Sequence, residues 1–366
     1  MKAVVLVGGE GTRLRPLTLS VPKQLLPIAE QPMIERVLGQ LARHGIADVV
    51  LSLGYLPDAF LKAYPDGVVA GIRLSYAVEP SPLDTAGAIR FAALSAGIAE
   101  TFVVVNGDVL TDMDLTALVA FHRARGAEGS ISLHPVDDPS SFGVVATDDS
   151  GLVQAFVEKP PRDVAPTNLI NAGTYVLERS VVDRVPEGRG VSIERETFPA
   201  MVADGTLYAL ADASYWLDAG TPEAYLAAHW DLLEGRREGP PAPGATDSGD
   251  GVWLLGSPKV DGEVRGPALV GDGARVGRGA LVDRAVVGRD CVVGPGARVV
   301  RSVLLEGANV GEGASLAGSI VGPGARVGER CDVRPLTVLG AGASVAPGTV
   351  LSGERVPTRP TKMEPP

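Results

Sequence analysis

The chain has 366 residues, 45% of them hydrophobic and 21% charged, with a formal net charge of −11. That length suggests two domains, the mix excludes wholesale disorder, and the acidic balance excludes a general binder of nucleic acid or anionic membrane. No stretch reaches the ~20 apolar residues of a membrane helix, and Gly8 and Gly9 cut short the apolar run from Ala3 to Val7, leaving less than a signal peptide needs, so the cytoplasm is the expected compartment.

The first part of the chain alternates. Short β-rich runs lie at 3–7, 49–53, 72–77 and 102–105, separated by helix-like segments at 33–44, 86–94 and 115–125. Glycines at 45 and 126 stop two of these segments. Such alternation implies βαβ units and a largely parallel sheet with ligands at the carboxyl ends of its strands. Beyond Gly129 the runs at 131–133, 142–147, 153–157 and 174–177 read as an antiparallel insertion covering the site. Thr221-Pro222-Glu223 reads as a helix start, with a hydroxyl cap, proline in the first turn and an acid beside it. That helix is expected to end near Glu234 and to close a catalytic domain spanning 1–237.

Residues 238–251 are rich in Gly, Pro and polar residues and read as a linker. The grammar then changes. Of the aromatics, only Trp253 follows Gly251, and no histidine does. Aliphatics recur from Val270 to Leu351 at spacings of six with three of five, so that 270, 287, 304 and 321 are 17 apart. Four residues after most of them stands a small residue, such as Ala274, Cys291, Ala297 or Cys331. A six-residue period with three rungs per turn predicts a parallel β-helix of roughly five coils over 252–351, followed by a tail at 352–366. Cys291 and Cys331 read as alanine substitutes in the small slot, and two cysteines make no disulfide framework.

The first strand runs into Gly8-Gly9-Glu10-Gly11-Thr12-Arg13-Leu14-Arg15-Pro16. No Gly-Lys-Ser/Thr follows, so it is no Walker loop, and Arg-Leu-Arg-Pro replaces the helix that a dinucleotide fingerprint needs. Glycines after a strand expose successive N–H groups that can cradle an anion, and Arg13, Arg15 and Lys23 add positive charge nearby.

Gly-Gly-x-Gly-Thr-Arg-Leu-x-Pro-Leu-Thr followed by Pro22-Lys-x-Leu-Leu-Pro27 resembles the signature of the sugar-1-phosphate nucleotidyltransferases, the nucleotide-sugar pyrophosphorylases. Leu83-Asp-Thr-Ala-Gly87, Asn106-Gly-Asp108, Phe142-Gly143-Val144, Phe156-Val-Glu-Lys-Pro160, Asn171-Ala-Gly173 and Trp216-Leu-Asp-Ala-Gly-Thr221 extend the resemblance over nearly the whole chain. It is most like the mannose-1-phosphate guanylyltransferase group, whose members join this catalytic domain to a left-handed β-helix. The fold so implied is α/β: a Rossmann-like mixed sheet followed by a left-handed parallel β-helix of hexapeptide repeats. Gln24 departs from a usual proline and Asp84 from a commoner glycine, the latter near the expected base pocket.

The resemblance implies transfer of a nucleoside monophosphate, GMP from GTP, to a sugar 1-phosphate, mannose 1-phosphate, with release of pyrophosphate. Arg13 would then hold the triphosphate and Lys23 the phosphates at the reacting centre, while Gly8, Gly9, Gly11 and Thr12 line the nucleotide. Glu79, Thr85 and Gly87 are the candidates near the base. Gly143, Glu158, Lys159 and Asn171 would take the sugar phosphate, and Asp108 with Asp218 would hold Mg²⁺. The same chemistry with dTTP, UTP or ATP, or with a glucose, heptose or cyclitol phosphate, stays open. So does a non-catalytic nucleotide-sugar-binding regulatory paralogue. An acyltransferase in the β-helix is excluded, because residues 252–366 contain no histidine to act as base. The expected partners are the two substrates and further copies of the chain, assembled through the β-helix.

Overall fold

Strand β1 (Lys2–Leu6) carries three fully buried residues, Ala3, Val4 and Val5, and so belongs in the interior of a sheet. The computed structural model describes residues 1–237 and 239–357. The ends of the expected linker and tail, residue 238 and residues 358–366, lie outside the described residues. In chain order follow α1 (Met33–Arg43), β2 (Asp48–Leu53), β3 (Ile72–Val78), α2 (Asp84–Ser95), β4 (Phe102–Asn106) and α3 (Leu115–Arg125). Then come β5 (Gly129–Pro135), β6 (Gly143–Thr147), β7 (Val153–Glu158), β8 (Leu169–Leu177), β9 (Leu207–Ala211) and α4 (Pro222–Leu233). Thr221 caps α4 as its sequence requires, accepting the N–H of Ala224.

By compactness the described chain falls into two units, one of Met1–Gly9 with Ile34–Leu217, the other of Glu10–Met33 with the chain from Asp218 onward. The first unit is built on one sheet in the order β7-β6-β8-β4-β1-β2-β3. Its centre is parallel, because β1 pairs with β2 and β4 in that sense and β2 with β3. The strands after Gly129 do not form a separate cover, as expected above. They extend the same sheet, since Thr174–Leu177 of β8 pairs antiparallel with Phe102–Val105 of β4 and takes β5 along its own edge. That antiparallel pairing makes the sheet mixed, and strand β9 returns to pair parallel with β5.

In the second unit the six-residue period becomes a three-sided parallel β-helix. One face stacks Val252–Leu254, Ala268–Val270, Val286–Val287, Val303–Leu304, Ile320–Val321, Val338–Leu339 and Arg355–Val356. The second runs from Lys259–Val260 to Ser344–Val345, and the third from Glu263–Arg265 to Val350–Ser352, each with six strands. There is thus one coil more than the aliphatic spacing counted, starting at Val252, and the first face runs past 351 to Val356. The extra coil escaped the pattern because no glycine follows Leu254, Val260 or Val264 and the slots four residues after the first two hold Pro258 and Val264, a small residue returning only at Ala268. The five-residue spacings fall at corners turned by a single residue of positive φ, Arg284, Arg301 or Gly318. At the fourth such corner an added residue restores the spacing to six, and Leu336 takes the positive φ there.

Valines, leucines and alanines of all three faces fill one continuous interior, to which Cys291 and Cys331 also belong. Both thiols are buried and free, bonded to the carbonyls of Leu305 and Ala346, and burial pushes the Cys291 thiol up to about 12. The reactive form of cysteine is the thiolate. Neither residue is therefore expected to react with a chromogenic disulfide reagent in the folded protein, and two thiols per chain should appear on unfolding. Fast titration of the native protein would contradict this packing.

Candidate functional site

The segment after β1 forms three 3₁₀ turns, Thr12–Leu14, Leu17–Leu19 and Lys23–Leu25, punctuated by Pro16 and Pro22, which disfavour a continuous helix. Gly11 has φ +60°, and a Cβ there would stand 3.0 Å from Thr18 and 3.2 Å from Lys23. A side chain at 11 would pry the turns apart, so the glycine keeps Arg13 and Lys23 on one small loop. The Thr18 hydroxyl closes it, donating to the Gly11 carbonyl at 2.8 Å. The Thr12 carbonyl accepts the N–H of Arg15, whose guanidinium meets Glu10 at 2.7 Å.

The Arg13 guanidinium lies 3.5 Å from the Asp218 carboxylate, with side-chain exposures of 59% and 24%. Asp218 also accepts the N–H of Gly220 at 2.9 Å, and a Cβ on Gly220 would stand 2.6 Å from the guanidinium. A cation and a carboxylate are thus presented to solvent side by side. The loop is anchored from α4, where the Tyr225 hydroxyl donates to the Pro27 carbonyl and His229 Nδ1 accepts the N–H of Ala29 at 3.0 Å. It is anchored again at a corner of the β-helix, where Glu30 accepts the N–H of Arg289 at 3.0 Å. Burial pushes the Glu30 carboxyl up against that bond.

In the first unit the remaining candidates gather at the carboxyl ends of the parallel strands, where α/β sheets bind ligands. Gly8 follows β1, and a Cβ on it would stand 3.4 Å from Glu79 Oε1. Glu79 directly follows β3 and accepts the N–H of Leu83 at 3.1 Å and the Ser52 hydroxyl at 3.2 Å, yet burial holds its carboxyl above the usual range. Asp108 follows β4 directly, beside β1, through Gly107, whose N–H donates to the Leu6 carbonyl at 2.9 Å. Thr85 and Gly87, expected near the base, have structural duties at the start of α2. The Thr85 hydroxyl donates to Glu194 and accepts the N–H of Ile193, each at 2.8 Å, and Gly87 leaves room for Arg189 to Val191. Asp84 has φ +58°, the left-handed region where glycine is the ordinary choice and Asp is tolerated.

A third group sits on β6–β8. Gly143 pairs with Glu158 across the β6–β7 ladder, and a Cβ on it would stand 2.7 Å from the Phe156 ring and 3.0 Å from Glu158 Oε2. Lys159 pairs with Glu158 at 3.2 Å and is itself well exposed. Asn171 donates to the Tyr175 hydroxyl at 2.9 Å and accepts the N–H of Gly173 at 3.1 Å, so its amide is oriented by β8 itself. Beside them Trp216 donates to the Ala172 carbonyl, stacks on His134 at 5.4 Å and meets Phe142 edge-on at 5.5 Å.

A family model described as nucleotidyl transferase matches residues 2–235, and another described as GMPPB C-terminal domain matches residues 264–363. The chain belongs to the nucleotidyl transferase family. It is similar to the mannose-1-phosphate guanylyltransferase of Mycobacterium tuberculosis, with 44% identity over 78% of this chain and 79% of that one. Mannose-1-phosphate guanylyltransferase 1 of Arabidopsis thaliana is 40% identical over 77% of this chain and 74% of its own. Among solved structures, HddC from Yersinia pseudotuberculosis complexed with GMP-PN is 29% identical, with a TM-score of 0.54, over 62% of this chain and 97% of that chain.

For a nucleotidyltransferase the geometry supplies an exposed guanidinium beside a carboxylate and a lysine on the same loop in one unit, and a third cation, Lys159, just after β7 in the other. Sequence reasoning passed over Gly220, Trp216 and His134 as site residues. Trp216 and Gly220 stood in a quoted motif, but their partners, His134 and Arg13, lie far away in sequence. Asp108 and Asp218 belong to different compact units. Among the described residues no three or more His, Cys, Asp or Glu converge on one metal position. Each carboxylate is by itself of the kind that Mg²⁺ takes, since that ion commonly binds one or two protein carboxylates and completes its shell with phosphate oxygens and water.

Proposed function

We propose that the protein transfers GMP from GTP to mannose 1-phosphate, releasing pyrophosphate. The observation that carries this reading is the Gly11-centred loop, which sets Arg13 and Lys23 together and Arg13 against Asp218. The likeness to guanylyltransferases supports the choice of base and sugar. The sugar phosphate's oxygen attacks the α-phosphorus as the bond to the β-phosphate breaks, so two anions must be brought together. Arg13 steadies the leaving pyrophosphate and Lys23 the phosphates at the reacting centre, with Gly8, Gly9, Gly11 and Thr12 along the nucleotide. Glu79, Thr85 and Gly87 face the base side, Thr85 and Gly87 by shaping the backbone. Lys159 neutralises the sugar phosphate, while Glu158, Asn171 and the backbone of Gly143 orient the ring. Asp108 and Asp218 would hold Mg²⁺, which when bound supplies charge neutralisation at the phosphates.

Among the described residues no helix is long and apolar enough to cross a membrane. The reaction is assigned to the cytoplasm and the protein to a homo-oligomer assembled through the β-helix. The reading takes a catalytic part at 1–237, a linker at 238–251, a β-helix from 252 that is carried beyond the expected 351 to Val356, and a tail after it.

The test is pyrophosphate release from a matrix of GTP, ATP, UTP and dTTP against mannose, glucose and heptose 1-phosphates. GTP with mannose 1-phosphate is expected to give the highest kcat/KM. Another preferred pair would overturn the substrate assignment, and no turnover with any pair would leave the non-catalytic paralogue standing.

A further inference from the structure

On the first face of the β-helix, side chains alternate between the interior and the outside. Val270, Val287, Leu304, Val321 and Leu339 point into the interior. Their neighbours Leu269, Val286, Val303, Ile320 and Val338 point away from it, yet each is no more than 1% exposed. The corresponding positions of the second face hold residues such as Arg275, Asn309, Arg326 and Ser344, which are exposed. The first face is therefore a covered surface, and aliphatic residues suit it. In the last coil the partner of Val338 in this ladder is Arg355. The apolar stripe ends in a guanidinium.

That guanidinium has a defined task. Its Nη1 donates to the carbonyl of Arg13 at 3.1 Å and to the carbonyl of Arg15 at 2.6 Å. Next to it Gly340 borders Pro16, where a Cβ would stand 3.0 Å from the proline ring. The two carbonyls flank Leu14, so one cationic nitrogen spans the 3₁₀ turn that carries Arg13. Charge-assisted bonds to carbonyls are stronger than neutral ones, and removing the donor leaves two acceptors in a half-buried place.

We propose that Arg355 is a positioning residue for catalysis, holding the backbone of the Arg13 turn so that the guanidinium of Arg13 is aimed before substrate arrives. The inference rests on the reading of Arg13 as a phosphate-binding residue. It assigns the last coil of the β-helix a part in the reaction that runs through the backbone of the Arg13 turn. A displacement of about 1 Å in a charged group at a reacting centre can cost up to about 10²-fold in rate.

The experiment compares the full-length protein with Arg355→Ala, Arg355→Lys and Arg13→Ala, using steady-state kinetics and amide hydrogen exchange. Arg355→Ala is expected to lower kcat by about 10-fold or more with a smaller change in KM, and to speed exchange in residues 12–20. Arg355→Lys should recover part of both effects, and added guanidinium ion should restore part of the activity to Arg355→Ala while leaving the wild type unchanged. If the alanine variant fails to fold, the lysine variant carries the comparison. Wild-type kcat, or unchanged exchange at 12–20, in a folded Arg355 variant overturns the proposal. If Arg13→Ala keeps full activity, the reading of Arg13 has failed instead, and unchanged exchange would overturn the clamp independently.

Discussion

Arg13→Ala lowers kcat by about 10²-fold or more, the scale of losing a preorganised donor where charge develops, while leaving the melting temperature almost unmoved. The two halves of this expectation come from one geometry. Arg13 is largely exposed and its pairing with Asp218 spans 3.5 Å, so as a surface ion pair it contributes at most about 1 kcal/mol to folding. Its turn is held by backbone bonds and by the glycine at 11, none of which the substitution touches. Activity and stability should therefore separate. Arg13→Lys keeps the charge but loses the planar fork, and an intermediate rate is expected of it. Lys23→Ala should cost a similar factor, since that lysine shares the loop. Near-normal turnover of the folded alanine variant, read as pyrophosphate release, would remove Arg13 from the mechanism.

Val293→Asp unfolds much of the β-helix. Val293 lies in the stack between Val276 and Val310, in ladder register with both and buried on every side. A carboxylate there finds no cation and no donor, and an unpaired buried charge costs about 4 kcal/mol or more. Stacked coils are stabilised chiefly by their nearest neighbours, so a defect in a middle coil parts the coils before it from those after it. The expected result is a melting transition lowered by many degrees and aggregation seen by light scattering. Val293→Ala, which removes volume without adding charge, should be milder, costing about 1–3 kcal/mol. An aspartate variant that melts like the wild type would mean the interior there is wet.

The two expectations differ in how much the sequence alone supports them. The β-helix was legible because its code is short-range, with 270, 287, 304 and 321 repeating at 17 residues and the small slots and corners recurring with them. The first coil lay within the expected bounds, which start at 252, but went uncounted, since its first two small slots hold Pro258 and Val264. The βα alternation was legible from periodicity, as was the α4 cap. The strands after Gly129 were found as antiparallel strands but not as an extension of the parallel sheet, because pairing of β8 with β4 joins segments some seventy residues apart.

Residue types and spacing by themselves determined the family resemblance, the strand–helix alternation, the hexapeptide solenoid and the charged positions of the loop. Each is encoded in neighbours a few residues apart, or in motifs whose side chains do the work. Only the tertiary structure decided that Thr85 and Gly87 pack against residues 189–194, that Asp218 meets Arg13, and that residues 10–33 are anchored by α4 and the β-helix. The bonds from Arg355 to the carbonyls of Arg13 and Arg15 cross 342 and 340 residues of sequence. Every residue owns a carbonyl, so the accepting side of that contact leaves no mark in the sequence, and only folding brings the arginine to it.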